Sequence, residues 1–210
     1  MSVWTFFATH PREIWNATAE HLFLVAVSMF FAIAIGVPLG MFIVGRRRLR
    51  EISLGVASVL QTIPSLALFG FLIPIPFIGG IGPRTAIVAL VLYALLPILR
   101  NTYVGLSGVD PAILESAEAM GMTEGQILWR VRLPLALSVI LAGIRTATVI
   151  TIGVATIAAA IGAGGLGTFI FRGVAMVSDA VLLAGAIPAA LLAIGADLLL
   201  AWAERRLRVV

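Results

Sequence analysis

Residues 115–134 read ESAEAMGMTEGQILWRVRLP. The chain on both sides is apolar over long stretches, so this polar segment is an interruption with its own local logic. Asp110 and Pro111 supply an N-cap and a proline at the first helical position. Ile113, Leu114, Ala117 and Met120 then share one helical face, with Glu115 and Glu118 on its flank. Gly121 is a natural helix stop. Thr123 reopens a helix, and Thr123 with Gln126 fits a capping box. Ile127, Leu128 and Val131 form a second apolar face, which Leu133 and Pro134 close. The segment predicts a helix, a glycine turn and a second helix, laid against a membrane face.

Two readings of that pair stand side by side. One is an amphipathic connector resting on lipid headgroups. The other is a docking surface for a partner. Asp110, Glu115, Glu118 and Glu124 lean against the first reading, because anionic cytoplasmic lipid repels an acidic face. Two capped short helices also suit a surface that must hold a shape.

The rest of the chain explains why a membrane is invoked. Of its 210 residues, 61% are hydrophobic and 11% charged, whereas soluble domains carry about 45–50% apolar and about 25% charged residues. The mean hydropathy is +1.13. A water-soluble fold of this length cannot hide so much apolar surface, so the bilayer is the natural solvent. Five segments reach the roughly 20 residues that a spanning helix needs: 21–44, 53–77 (containing Pro64), 85–106, 135–161 and 180–203.

Arginine placement sets the orientation, since cytoplasmic loops are enriched in positive charge. Arg46, Arg47, Arg48 and Arg50 follow the first span. Arg100 precedes the interruption, which holds Arg130 and Arg132, and Arg205, Arg206 and Arg208 follow the last span. With five spans all of these fall on one side, leaving Arg12, Arg84 and Arg172 on the other. The expected topology is N-terminus out and C-terminus in. The N-terminus lacks a basic leader and a small-residue cleavage site, so an uncleaved first span is expected. No internal repeat is visible, and residues 1–210 read as a single transmembrane domain with a polar loop at about 107–134.

Several function classes drop out. There is no Cys, which removes disulfides and thiolate metal sites. All fourteen basic side chains are Arg, and a phosphate-binding P-loop needs a lysine, so this chain cannot itself hold the standard ATP site. The net charge of +4 is modest and its carriers cluster by membrane side, which reads as topology rather than as a nucleic-acid patch. Gly162 to Gly167 satisfies GxGxxG, but it follows a span instead of a strand, so a dinucleotide site is rejected. It reads instead as a flexible turn before a short segment, 168–177, that lies along or dips into the outer surface. His10 and His21 have no ligand-like partners, so no metal site is expected. No nucleophile–base–acid set is visible, so no catalytic residue is assigned.

The interruption resembles the EAA motif of ABC-importer permeases, which is EAA, then Gly, then I-x-L-P at fixed spacing. The matching residues are Glu115, Ser116, Ala117, Gly121, Val131, Leu133 and Pro134, with Ser116 in place of an alanine and Val131 in place of an isoleucine. Further stretches, including LQTIPSLALFGFLIPI, ALLPILRNTYVGL and LPLALSVILAGIRTATVITIGVATIAAAIGAGGLG, look like the subfamily that imports glycine betaine, choline, carnitine and related osmoprotectants. The resemblance implies an all-α polytopic fold of five transmembrane helices, the type I ABC importer permease fold (MetI-like), in the inner or plasma membrane of a bacterium or archaeon. It implies that the loop is a coupling helix docking on a separate ATPase subunit, present in two copies, which binds ATP-Mg. No cofactor is expected in this chain. The other implied partners are a second permease chain, identical or similar, and an extracytoplasmic substrate-binding protein. No fused binding domain is expected. In the docking surface Ala117 is to permit close approach and Gly121 the turn, while Leu133 and Pro134 orient the chain.

Polar residues inside spans are candidates for the translocation path: Gln61, Thr62 and Pro64 in the second span, Thr148 and Thr151 in the fourth. Hydroxyl and small residues also serve helix packing, and that plainer reading stays open for each threonine. Arg145 and Asp197, read as lying toward the cytoplasmic ends of their spans, are expected to form a structural ion pair. Two rival functions remain: an ABC permease for methionine or another amino acid, and an ion-coupled secondary transporter. The second sits poorly with the missing repeat and the scarcity of buried charges.

Overall fold

A computed structural model of the chain describes residues 3–207, and every regular element among them is helical. Arg208 of the basic tail lies outside the described residues. Helix α1 (Val3–Thr9) leads through His10 into α2 (Pro11–Phe42). After an arginine-bearing turn come α3 (Arg47–Thr62) and α4 (Ser65–Leu72), then α5 (Pro83–Ser107). The interruption forms α6 (Pro111–Ala119) and α7 (Glu124–Ile127), which runs into α8 (Leu133–Ile157). Helices α9 (Gly167–Ala175) and α10 (Asp179–Leu207) complete the fold.

Among the described residues, four stretches are long and apolar enough to cross a bilayer unaided: α2, α5, the continuous run Glu124–Ile161 that contains α8, and α10. The expected second span, 53–77, is different. It is broken into α3 and α4, which meet at 103°. The cause is local. Pro64 has no N–H to donate, and its ring drives the preceding residue out of the helical region, so Ile63 is extended at φ −70°, ψ 126°. The sequence predicts one span over 53–77 containing Pro64; the structure has two helices joined at 103°.

Two boundaries and the position of one charge also differ. Helix α2, which carries the first expected span, begins at Pro11 rather than near 21, because the proline at N1 starts a helix whose early turns carry Arg12, Glu13 and Asn16 beyond the apolar stretch. The second helix of the interruption does not close at Leu133 and Pro134. It passes through a π-helical turn, Leu128–Arg132, straight into α8. Leu133 N–H donates to Leu128 carbonyl within that turn. A one-residue widening of this kind lets a proline follow without a clash against the preceding turn. Lastly, Arg145 stands at the midpoint of α8, about 18 Å from either end at 1.5 Å per residue, and not near one end as expected.

Helices α2, α5 and α8 form the centre. Leu24, Ala32, Leu90, Ile98, Ala147 and Ile152 belong to its main cluster. Glycines set the closest approaches. A Cβ on Gly36 would lie 2.8 Å from Ile98 Cγ2, one on Gly40 2.6 Å from Thr102 Cβ, and one on Gly143 2.5 Å from Asn101 Cβ. Close packing of this kind, more than water exclusion, holds helices together in lipid. Phe30, Phe31, Leu191, Leu198 and Trp202 stay exposed on the outside, as a hydrocarbon solvent permits.

Tracing the helices puts the turns at Arg46–Arg48, the interruption and the end of α10 together at one Arg-rich end of the bundle. The α4–α5 connection, the glycine-rich segment 162–167 and α9 lie at the other.

Candidate functional sites: a capped hairpin and a broken span

At the Arg-rich end, α6 is fixed at both termini by its own sequence. Asp110 Oδ1 accepts from Ala112 N–H at 2.9 Å, a cap that contributes about 1 kcal/mol. At the far end, Met122 N–H donates to Ala117 carbonyl at 3.1 Å and Gly121 N–H to Glu118 carbonyl at 2.9 Å. These two bonds are a Schellman motif, which needs a left-handed residue one place after the cap. Gly121 supplies it at φ +80°. The place of Gly121 after α6 is therefore set by the geometry of this stop. Directly after it, Thr123 N–H donates to Gln126 Oε1 at 2.9 Å and Gln126 N–H to Thr123 Oγ1 at 3.4 Å. The capping box opens α7, and the pair is a rigid hairpin about Gly121.

Glu115, Ser116, Glu118 and Gly121 are exposed on this hairpin, as is Met120. Ala117 is not. It is 2% exposed, turned into its own chain, so its small side chain serves packing within the hairpin and is no part of an outward-facing surface. Val131, Leu133 and Pro134 are half-buried at the π-helical turn and the first turn of α8. Arg132 Nη1 donates to Leu106 carbonyl at 3.3 Å, tying the hairpin's return to the end of α5. A groove of about 800 Å³ lies beside it, walled by Phe42, Arg46, Glu124, Trp129 and Arg132.

The broken span is held by a reciprocal pair of bonds to α5. Pro97 cannot donate to the carbonyl four residues before it, that of Tyr93. Gln61 Nε2 donates to that carbonyl instead, at 3.0 Å. The break at Pro64 likewise frees the carbonyl of Ile63, and the Tyr93 hydroxyl donates to it. Two prolines each orphan a carbonyl, and side chains from the facing helix satisfy both. Irregular backbone at membrane depth requires such satisfaction, or a cavity. Thr62 and Pro64 are exposed at the joint, with Thr62 Oγ1 donating back to Val59 carbonyl at 2.7 Å.

The threonines of α8 lie elsewhere. Thr151 is fully buried, its hydroxyl donating to Ala147 carbonyl at 2.7 Å. Thr148 is half-buried and donates to Ile144 carbonyl at 2.8 Å. Gln61, Thr62 and Pro64 thus share one joint, while Thr151 belongs to the core and does not join them in a common lining.

Arg145 and Asp197 meet. Arg145 Nε and Nη2 donate to Asp197 Oδ1 and Oδ2 at 2.5 Å and 2.7 Å. Glu204, one helical face along from Asp197, stands 3.6 Å from Arg145 Nη1.

At the opposite end the glycine-rich segment is pinned rather than flexible. Gly165 N–H donates to Glu20 Oε2 at 2.9 Å, and Gly164 and Gly165 both adopt positive φ. His21, fully buried, donates from Nε2 to Ile152 carbonyl at 3.2 Å. The following segment lies at this end of the bundle with Phe171, Val174 and Met176 exposed. It forms α9, with Phe169 and Gly173 buried in a hairpin against α10. Among the described residues no group of His, Asp and Glu is placed to hold a metal.

The sequence gives no structural role to Tyr93, Glu20 or Glu204, and reads His21 only as a rejected metal ligand. For Tyr93 a signal existed: Pro97 stands four residues later, so the Tyr93 carbonyl had to lack its helical donor. No comparable signal marks Glu20 or His21, whose partners lie more than a hundred residues away in the chain.

Comparison with known proteins gives a consistent answer. Residues 32–209 match the family described as binding-protein-dependent transport system inner membrane component. The chain is 48% identical to the choline transport system permease protein OpuBD of Bacillus subtilis, over 98% of this chain and 90% of the relative. It is 47% identical to the carnitine transport permease protein OpuCD of Listeria monocytogenes, over 98% and 91%. It is 49% identical to the osmoprotectant import permease protein OsmW of Salmonella typhimurium, over 93% and 90%. Among solved structures, the inward-facing MetNI methionine ABC transporter matches with a TM-score of 0.81 and 26% identity, covering 93% of this chain and 94% of that one. An amino acid ABC transporter with histidines shares the fold, with a TM-score of 0.81 over 98% and 99% at 18% identity.

Proposed function

The chain belongs to the family of binding-protein-dependent transport system inner membrane components, and from that premise we propose that it forms the membrane path for a quaternary-ammonium osmoprotectant such as choline, carnitine or glycine betaine. It is a multi-pass permease of the ABC importer class, in which ATP hydrolysis belongs to a separate subunit. The observation that carries the cargo reading is near-half identity, over almost the whole chain, to relatives named for choline, carnitine and osmoprotectants. The methionine transporter shares the fold at a much lower identity.

The hairpin about Gly121 is the docking surface for the ATPase, through Glu115, Ser116 and Gly121, with Val131, Leu133 and Pro134 setting its angle to α8. That places the Arg-rich end in the cytoplasm, the N-terminus outside and the C-terminus inside. Two ATPase copies act on a pair of permease chains, and a soluble binding protein delivers the solute from outside. Residues 1–210 act as one transmembrane domain. Quaternary ammonium ions are recognised by aromatic cages. Both tyrosines here have other work, Tyr93 at Ile63 and Tyr103 as acceptor from Arg50 Nη1 at 3.0 Å. High-affinity recognition is assigned to the binding protein, and passage to this chain.

The test is ATP hydrolysis by the assembled complex in lipid, with binding protein loaded in turn with choline, carnitine, glycine betaine or methionine. The quaternary ammonium ligands are expected to stimulate hydrolysis. Stimulation by methionine alone would replace the cargo assignment with the amino-acid one.

A further inference from the structure

Three charges line a groove between α8 and α10 that no part of this chain covers. Arg145 is paired bidentately with Asp197, the planar fork geometry that gives a strong charge-assisted pair. Glu204 is only 3.6 Å from Arg145 Nη1, beyond a hydrogen bond. Asp197 and Glu204 are seven residues apart and share one face of α10. One guanidinium thus serves two carboxylates, and the groove keeps a surplus negative charge.

Arg145 and Asp197 lie inside helices long and apolar enough to span a bilayer, and Glu204 follows in the last turn of α10, just past the apolar stretch 180–203. Yet their side chains retain 35%, 37% and 28% of their exposure for Arg145, Asp197 and Glu204. Ionisable groups within spans face protein or water rather than hydrocarbon. Of the exposed apolar side chains of α10, Leu191, Leu198 and Trp202 lie about 100° or more around the helix from Asp197, and Ile194 about 60° from it. The groove itself encloses about 360 Å³, with Thr146 and Val149 on its wall. The Thr146 hydroxyl is satisfied by Ala142 carbonyl of its own helix at 3.0 Å, so its face is open without being a bonded contact.

We infer that this groove is a water-filled stretch of the translocation path, and that the surplus carboxylate of Glu204 makes it favour small cations bearing a quaternary ammonium over anions. The choice of cation rests on the cargo reading above; the water and the charge do not.

The absence of cysteine makes the test direct. Thr146→Cys becomes the single thiol of this chain, assembled with partner subunits whose own cysteines are first replaced, in vesicles without nucleotide. It is treated with two hydrophilic thiosulfonates, one bearing a trimethylammonium group and one a sulfonate, with rates referred to those of a free thiol. Reaction from the aqueous phase is expected, severalfold faster for the cation. Glu204→Gln should remove most of that preference and Glu204→Asp should keep it. Retained ATPase co-purification reports that each variant is assembled. Leu198→Cys should react with a lipid-soluble maleimide and with neither charged reagent. If Thr146→Cys resists both charged reagents, the groove is sealed by lipid or by the second permease chain, and the inference fails. A cation preference unchanged by Glu204→Gln overturns the role of that carboxylate. Labelling does not depend on cargo. A groove that reacts as expected in a complex not stimulated by choline, carnitine or glycine betaine would overturn the cargo reading alone.

Discussion

The side-chain amide of Gln61 donates to the backbone carbonyl of Tyr93 at 3.0 Å, the carbonyl that Pro97 leaves without a helical donor. The Tyr93 hydroxyl answers at Ile63, beside Pro64. Each residue repairs a defect that a proline made, and together they fix the joint of the broken span against α5. Tyr93→Phe removes one donor and leaves a carbonyl unsatisfied, at a cost of about 1–3 kcal/mol. Gln61→Leu should cost a similar amount. In denaturant unfolding of the purified chain, the two variants should couple by about 0.5 kcal/mol or more, as neighbours in one network do. Strict additivity would mean that the two bonds act independently.

Helix packing gives a paired prediction within α8. A Cβ on Gly143 would meet Asn101 Cβ at 2.5 Å and Pro97 carbonyl at 2.9 Å. Gly143→Ala should therefore destabilise by about 1–3 kcal/mol through overpacking. Gly153 has nothing within 4 Å of that position. Gly153→Ala should be neutral or stabilise by up to about 1 kcal/mol from helix propensity. Thermal unfolding of both variants in the same lipid or detergent checks the sign of each.

Gly121 is open to added bulk but not to a changed backbone. Its Cβ direction meets nothing within 4 Å, while its φ of +80° disfavours other residues by about 1 kcal/mol. Gly121→Asp should insert and accumulate normally, yet lose the ATPase on co-purification or lose coupled uptake. Normal uptake at full expression would remove the hairpin from the docking role.

The Arg145–Asp197 pair predicts a charge-swap result. Arg145→Asp and Asp197→Arg should each lower expression or uptake, because each leaves like charges facing across α8 and α10. The double variant should recover a large part of the loss. Failure of the double variant to recover would mean that the pair matters through something other than its mutual attraction.

Much of this fold was legible because its signals are local. The hairpin is written in Asp110, Pro111, Gly121, Thr123 and Gln126, each of which acts within a few residues of itself. The four continuous spans follow from apolar length alone. The missed features depend on partners distant in sequence. Pro64 announced a disturbance, but the bonds by which Gln61 and Tyr93 tie the 103° joint to α5 join residues some thirty apart in the chain. Ala117 looked available on a helix drawn by itself and proved buried once α6 was folded against its own chain. The glycine-rich segment looked flexible because glycine permits motion, whereas Glu20 holds it in place. Pattern reading locates polar groups along the chain; which of them meet is decided by packing.

The account centres on a permease that moves a quaternary-ammonium solute when a separate ATPase acts on the Gly121 hairpin. The measurement that tests this most directly is uptake of labelled choline into proteoliposomes holding the chain with its ATPase and binding protein, with and without ATP at the ATPase. ATP-dependent accumulation that is competed by carnitine or glycine betaine, and abolished by Gly121→Asp, is the predicted result. Choline accumulation that proceeds without the ATPase, driven by an imposed ion gradient, would contradict it.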